Sequence, residues 1–191
     1  VLSRVCPKDP LRQDIRQHRE LAVGLLFAFA RSMSEKIRHS TAAMVAVGPA
    51  ARPKAPSGRH LNAEERAWLA MLGRTVESAD GVALVKEGDA TRSFFVIEKG
   101  IAEVRKSNGG AQQVLARLHE GDLFGFLAFL DGQPRSASVV AVEGPLTAVE
   151  VQADALESAL KVNFAVAFRF LGTLCRVLGR TFADNVSALA D

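Results

Sequence analysis

Cysteine is almost absent: Cys6 and Cys175 are the only two in 191 residues, far apart and at no ligand spacing. Neither a disulfide framework nor a zinc site follows from them. Cys175 falls on the apolar side of a helical pattern and reads as core rather than as a reactive thiol. The four histidines, His18, His39, His60 and His119, are scattered, and none has a carboxylate or cysteine partner at metal or triad spacing. A P-loop and a dinucleotide fingerprint are both missing. The adjacent carboxylates Glu64 and Glu65 are explained as first-turn helix residues facing the positive end of the macrodipole. These absences argue against an enzyme and imply no metal and no cofactor. Long apolar runs are lacking too. Leu21 to Ala30 spans ten residues before Arg31, against roughly 20 needed to cross a bilayer, so it reads as a buried helix face and not as a membrane contact. The chain opens on Val1 without a methionine or a signal-peptide pattern; the expectation is a cytoplasmic piece of a larger protein.

What is present is ordinary for a globular chain: 48% hydrophobic and 24% charged residues, enough length for one well-buried domain and a smaller element. The charge is uneven. Residues 1–60 hold eleven Lys/Arg against four Asp/Glu, whereas residues 61–191 hold thirteen against seventeen. Solvated basic faces of a helix and a linker account for this; contact with acidic lipid or nucleic acid is the alternative.

Residues 11–44 carry apolar positions at helical spacing, among them Leu21, Leu25, Phe29, Met33, Ile37 and Met44. A second such segment runs from Phe164 to Leu189. A shift of 145 positions aligns the two without gaps: Leu11 meets Leu156, Leu26 meets Leu171, Arg31 meets Arg176, Met33 meets Leu178, Ile37 meets Phe182 and Met44 meets Leu189. Any two amphipathic helices match at some offset, but both copies also share a helix-break-helix outline. Residues 1–46 are therefore expected to be a helical segment, the closing helices of an upstream, truncated copy. Residues 47–60, with three prolines and two glycines between Val47 and Arg59, read as a linker. Asn62 with Glu65 forms a capping box for a helix over 64–73, with Trp68, Leu69 and Leu72 inward and Gly73 at its end. From Thr75 to Val151 short segments rich in Val, Ile, Leu and Phe alternate with Gly/Asp/Asn turns. Ser107-Asn108-Gly109-Gly110 signals a hairpin, and Gly144-Pro145 is expected to separate the last two strands. The pattern implies a closed or rolled antiparallel barrel. Asp154 is expected to cap a helix over 155–161, followed by a long helix over 164–189. The class is α+β.

One stretch, Asp122-Leu123-Phe124-Gly125-Phe126-Leu127-Ala128-Phe129-Leu130-Asp131-Gly132-Gln133-Pro134-Arg135-Ser136-Ala137-Ser138, carries chemistry suited to an anion. Gly125 permits close backbone approach and the short helix after it adds a positive dipole end. Arg135 offers a planar donor fork for phosphate oxygens and Ser136 a hydroxyl. This order resembles the phosphate-binding cassette of the cyclic nucleotide-binding domain family, the β-roll of catabolite-activator proteins and protein kinase A regulatory subunits. Ala83 to Asp89, Ser93 to Val104 and Glu120-Gly121-Asp122 resemble its hairpin framework, and together the pieces cover residues 61–191. The resemblance implies an antiparallel, jelly-roll-like β-roll with flanking helices and a long C-terminal helix. It also implies a regulatory module that binds cAMP or cGMP through Gly125, Phe126, Leu127, Ala128, Arg135, Ser136 and Ala137, with Thr181 on the closing helix near the base. Where the family has a glutamate that accepts the ribose 2′-hydroxyl, this chain has Phe126, which offers no acceptor. The stripe Leu171, Leu174, Leu178, Asn185 and Leu189 implies a homodimer through the closing helix, with Asn185 fixing register. Two other roles stay open: a degenerate copy of the fold used for dimerisation or partner docking, and the sensor half of a transcription regulator. No nucleic-acid partner is expected for this chain alone.

Overall fold

Alternation of apolar side chains along Phe94-Phe95-Val96-Ile97 sorts the core into two parts. Phe94 and Val96 join the helices, while Phe95 and Ile97 face the interior of the sheet, as the two-residue period of a strand requires. The computed structural model describes residues 18–47 and 61–190. In chain order these form α1 (Arg19–Val47), α2 (Ala63–Leu72), β1 (Arg74–Ser78), β2 (Ala83–Val85), β3 (Ser93–Asn108), β4 (Ala111–Leu118), β5 (Leu123–Phe124), α3 (Phe126–Asp131), β6 (Ser138–Gln152), α4 (Ala153–Val162) and α5 (Phe164–Ala190). All strand pairings are antiparallel, in the order β1-β6-β3-β4, with β2 added to β6 and β5 to β3. The expected antiparallel roll with flanking helices is the observed fold.

The capping box forms: the Asn62 side chain accepts from the Glu65 amide while the Glu65 carboxylate accepts from the Asn62 amide. Glu65 is also buried and accepts from the Thr173 hydroxyl at 2.8 Å, which ties α2 to α5. Gly109 and Gly110, both at positive φ, turn β3 into β4. Three expectations need correcting. The run Leu21 to Ala30 is not a buried face: Leu21, Leu25 and Phe29 are exposed, and only Ala22 and Ala30 are buried. Gly144-Pro145 does not separate two strands; it lies inside β6. There Glu143 (φ 62°) and Gly144 (φ 122°) bend the strand opposite Gly100, where a Cβ would stand 2.5 Å from the Pro145 carbonyl. Two facing irregularities let both strands curve together without losing their partners. Asp154 is not the cap of α4 either: Gln152 holds that position without a side-chain bond, and Asp154 sits in the first turn. The linker over 48–60 and the segment 1–17 lie outside the described residues.

Helix α1 packs chiefly on α5. Ala30, Met33 and Ile37 share one buried cluster with Leu171, Leu174 and Leu178, and Asn185 donates to Ser40 and Thr41 at 3.0 Å each. The face of α5 expected to meet a twin helix is thus covered within the chain. No single helix among the described residues is long and apolar enough to cross a membrane.

Candidate functional site

Arg135 is the centre of the site. It is 4% exposed, and its guanidinium donates to the Thr91 hydroxyl at 3.1 Å, the Gly125 carbonyl at 2.8 Å and the Ser93 hydroxyl at 2.9 Å. Its carbon lies 5.6 Å from the Phe95 ring centroid. Every direct partner is neutral; among the described residues no carboxylate oxygen lies within ion-pair distance. Burial pushes the guanidinium pKa down, against the more distant pull of Glu150 and Asp89. A buried cation satisfied only by dipoles has spare charge for an anion, since burying an unpaired charge is costly and an incoming counter-ion relieves that cost.

Gly125 makes this arrangement possible. It caps α3 in the left-handed region (φ 79°), and a Cβ there would stand 2.6 Å from Arg135 Nη1. Its carbonyl, rather than its amide, holds the arginine. The amides in the first turn of α3 have no intrahelical acceptor, and Leu127 and Ala128 from that turn line a cavity of about 670 Å³. Phe126, Arg135, Ser136, Ala137 and Thr181 line the same cavity, as does Gly125, so all eight residues singled out from the sequence meet at one place. Phe126 is 8% exposed, belongs to the helix-side core and is among the residues that line the cavity. Thr181 donates back to the Val177 carbonyl at 3.0 Å, which leaves its hydroxyl oxygen able to accept.

The sequence reading did not place the opposite wall. Ile37, Thr41 and Met44 of α1 close the cavity together with Asp184, Asn185 and Leu189 of α5. The 145-residue shift was the one signal that α1 belongs beside α5. Thr91 and Ser93 carried no signal, because only the folded roll brings them to Arg135. Asp131 was missed for the same reason. At the far end of α3 it is buried, accepts from Arg38 Nε at 2.6 Å and Nη2 at 3.0 Å, and bonds the Ser34 hydroxyl. Arg38 Nη1 also donates to the Pro134 carbonyl at 2.9 Å. Burial alone would raise the Asp131 pKa, but Arg38, Ser34 and the Gln133 amide outweigh it and hold the carboxyl below its ordinary value. Lys106 donates to Glu87 at 2.7 Å and to the Ser136 carbonyl at 2.8 Å, bracing the other side of the cassette. Cys175 is half-buried, its thiol pKa raised by burial, in keeping with an inert core residue. The searched residues hold no cluster of His, Cys, Asp or Glu that could bind a metal.

Comparison with known proteins places this geometry. Residues 75–163 match the model of the cyclic nucleotide-binding domain. The regulatory subunit of the cAMP-dependent protein kinase of Mycosarcoma maydis is 33% identical over 138 residues, which are 70% of this chain and 25% of that protein. The chain spans about a quarter of the length of such curated relatives. Among solved structures, a cyclic nucleotide-binding domain from Methylobacillus flagellatus superposes with a TM-score of 0.60 at 23% identity over 83% of each chain. The N-terminal domain of a transcriptional regulator from Streptomyces coelicolor superposes with a TM-score of 0.53 at 25% identity over 72% of this chain and 94% of that one. By its antiparallel roll, its Arg135 cassette and these sequence matches, the segment 75–163 is a cyclic nucleotide-binding domain.

Proposed function

We propose that this chain is a non-catalytic, cytoplasmic regulatory module that binds a cyclic nucleotide, cAMP or cGMP, in the cavity beside Arg135. One observation carries the reading: a buried arginine without a carboxylate partner opens on a cavity of about 670 Å³ whose lining includes Gly125 to Ala128 and Arg135 to Ala137 of the cassette. The cyclic phosphate takes hydrogen bonds from Arg135, Ser136 and the first amides of α3. The base extends toward Thr41, Thr181 and Asn185. Anchoring the phosphate draws α3 toward the roll, and because Asp131 is gripped by Ser34 and Arg38, the same shift is felt by α1. The ligand then favours one of two arrangements of the helices, to the extent of its differential affinity for them. The kinase relatives are regulatory subunits by name, in keeping with a role in controlling a partner domain.

A second reading rests on Phe126. A phenylalanine built into the core removes the ribose acceptor, and a charge-assisted hydrogen bond of that kind is worth roughly 1.5–3 kcal/mol, on the order of ten- to a hundred-fold in affinity. In that reading the fold serves docking, with a twin chain meeting the exposed Val186 and Leu189 at the end of α5. Calorimetric titration with cAMP and cGMP separates the two. The sensor reading expects weak binding, tightened about ten-fold by Phe126→Glu, alongside a lower melting temperature because a core ring is lost. No heat at millimolar nucleotide, in either the parent or a folded Phe126→Glu, eliminates the sensor and leaves docking.

A further inference from the structure

Helices α1 and α5 run side by side in the same direction. The Leu26 carbonyl meets the Cys175 thiol near one end, and Ser40 and Thr41 meet Asn185 near the other. Ser40 and Asn185 stand 145 positions apart, the same shift that aligns the two helices in sequence. Along α1, Leu26, Ala30, Met33, Ile37, Ser40 and Met44 recur in alternating steps of four and three, and their shifted counterparts Leu171, Cys175, Leu178, Phe182, Asn185 and Leu189 do the same. That is a parallel two-helix seam in register, in which like layers face each other. One chain therefore contains an approximate two-fold axis, with one β-roll on it.

The relation carries over to the faces behind the seam. On α5, Phe170 and Leu174 are each 1% exposed, and Phe170 packs against Trp68 at 5.9 Å and Phe94 at 5.8 Å between ring centroids, closing the roll. Their counterparts on α1 are Leu25 and Phe29, exposed at 63% and 53%, and one turn earlier lies Leu21 at 62%. This stripe is continuous with the seam, because Leu25 and Phe29 adjoin Leu26 and Ala30. We propose that Leu21, Leu25 and Phe29 are the docking face for a second β-roll of this fold, carried on chain N-terminal to α1 and closed by α1 as residues 61–162 are closed by α5. A second copy of this chain fits the stripe poorly, since its roll is already sealed by its own Phe170 and Leu174. Only a roll lacking a closing helix of its own presents the vacant face that these residues match.

Single cysteines at Leu25→Cys and Phe29→Cys, in a Cys6→Ser, Cys175→Ser background, test this by maleimide labelling of residues 1–191 and of the full product of the gene. Arg31→Cys is the control, because Arg31 and its counterpart Arg176 are both exposed. The expected result is fast labelling at all three sites in the shorter chain, slowed at least ten-fold at positions 25 and 29, but not at 31, in the gene product. Hydroxyl-radical footprinting of Phe29 in the unsubstituted proteins reads the same protection without relying on the variants. Equal rates in the two proteins overturn the proposal, whether upstream chain leaves the stripe bare or no such chain exists. It falls equally if residues 1–191 dimerise in sedimentation and Phe29→Glu disperses the dimer, since the occupant is then a second copy.

Discussion

The two arginines at the ends of the cassette are solved in opposite ways. Arg135 is buried among two hydroxyls and a carbonyl, with its positive charge uncompensated at contact distance. Arg38 lies against a buried carboxylate that it engages through two nitrogens, its own side chain 20% exposed and that of Asp131 3%. The same side chain is thus a ligand anchor in one place and a structural tie in the other, and what distinguishes them is the charge of the acceptor. A neutral acceptor yields to phosphate; a carboxylate competes with it.

The sharpest way to break this contrast is to remove each arginine's role separately. Arg135→Ala is expected to weaken cyclic nucleotide binding on the order of a hundred-fold or more, as two charge-assisted bonds go, with a small effect on the melting temperature. Asp131→Ala is expected to do the reverse: a loss of ~2–3 kcal/mol of stability, toward the low end for a broken buried pair because Arg38 keeps some solvent, and affinity within a few-fold. Calorimetry paired with thermal melts reads both, and equal losses of affinity in the two variants would dissolve the distinction. Next in size is Gly125→Ala. Left-handed backbone costs a residue with a Cβ ~1–2 kcal/mol, and the methyl would strike Arg135 Nη1; binding should weaken about ten-fold with the cassette otherwise intact. The smallest effect is in acid. Asp131 titrates below its ordinary carboxyl value, which is ~3.9, so its stabilisation is complete above that value and is lost as pH falls through the lower folded one. The stability difference between parent and Asp131→Asn, followed by melts from pH 6 down to pH 2.5, should therefore shrink below about pH 4. A difference that stays constant would show that the carboxylate charge contributes nothing.

The roll was legible because its signals are local. A capping box at Asn62 and Glu65, an Asn-Gly hairpin and alternating Phe94 to Ile97 each act within a few residues. The cassette was legible by resemblance, and Arg135, Gly125 and Ser136 do line one cavity. What the sequence could not display is whatever depends on distant chain: Thr91 and Ser93 holding Arg135, Ser34 and Arg38 holding Asp131, and Met44 roofing the cavity. Gly144-Pro145 misled for a related reason. Its turn chemistry is real, since both Glu143 and Gly144 have positive φ, but Gly100 on the facing strand absorbs the bend, so the strand continues.

Strand β3 has a consequence for the order of assembly. It pairs with β4 through the two-glycine turn, and also with β5 and with β6, whose partners reach from Ser93–Gln152 to Arg105–Ser138. The β3–β4 hairpin can zip in roughly 1–10 μs, whereas β6 must first close a long loop and meets the entropy of doing so before any ladder forms. Helix α1 finds its partners later still, because Asp131 and Asn185 exist as a docking surface only once the roll and α5 are in place. An element that arrives last on a finished scaffold is also the first to leave it. Local opening of α1 should therefore occur well below the free energy of global unfolding, and its hydrogen-exchange rate should report on the cavity beneath it while the roll stays closed.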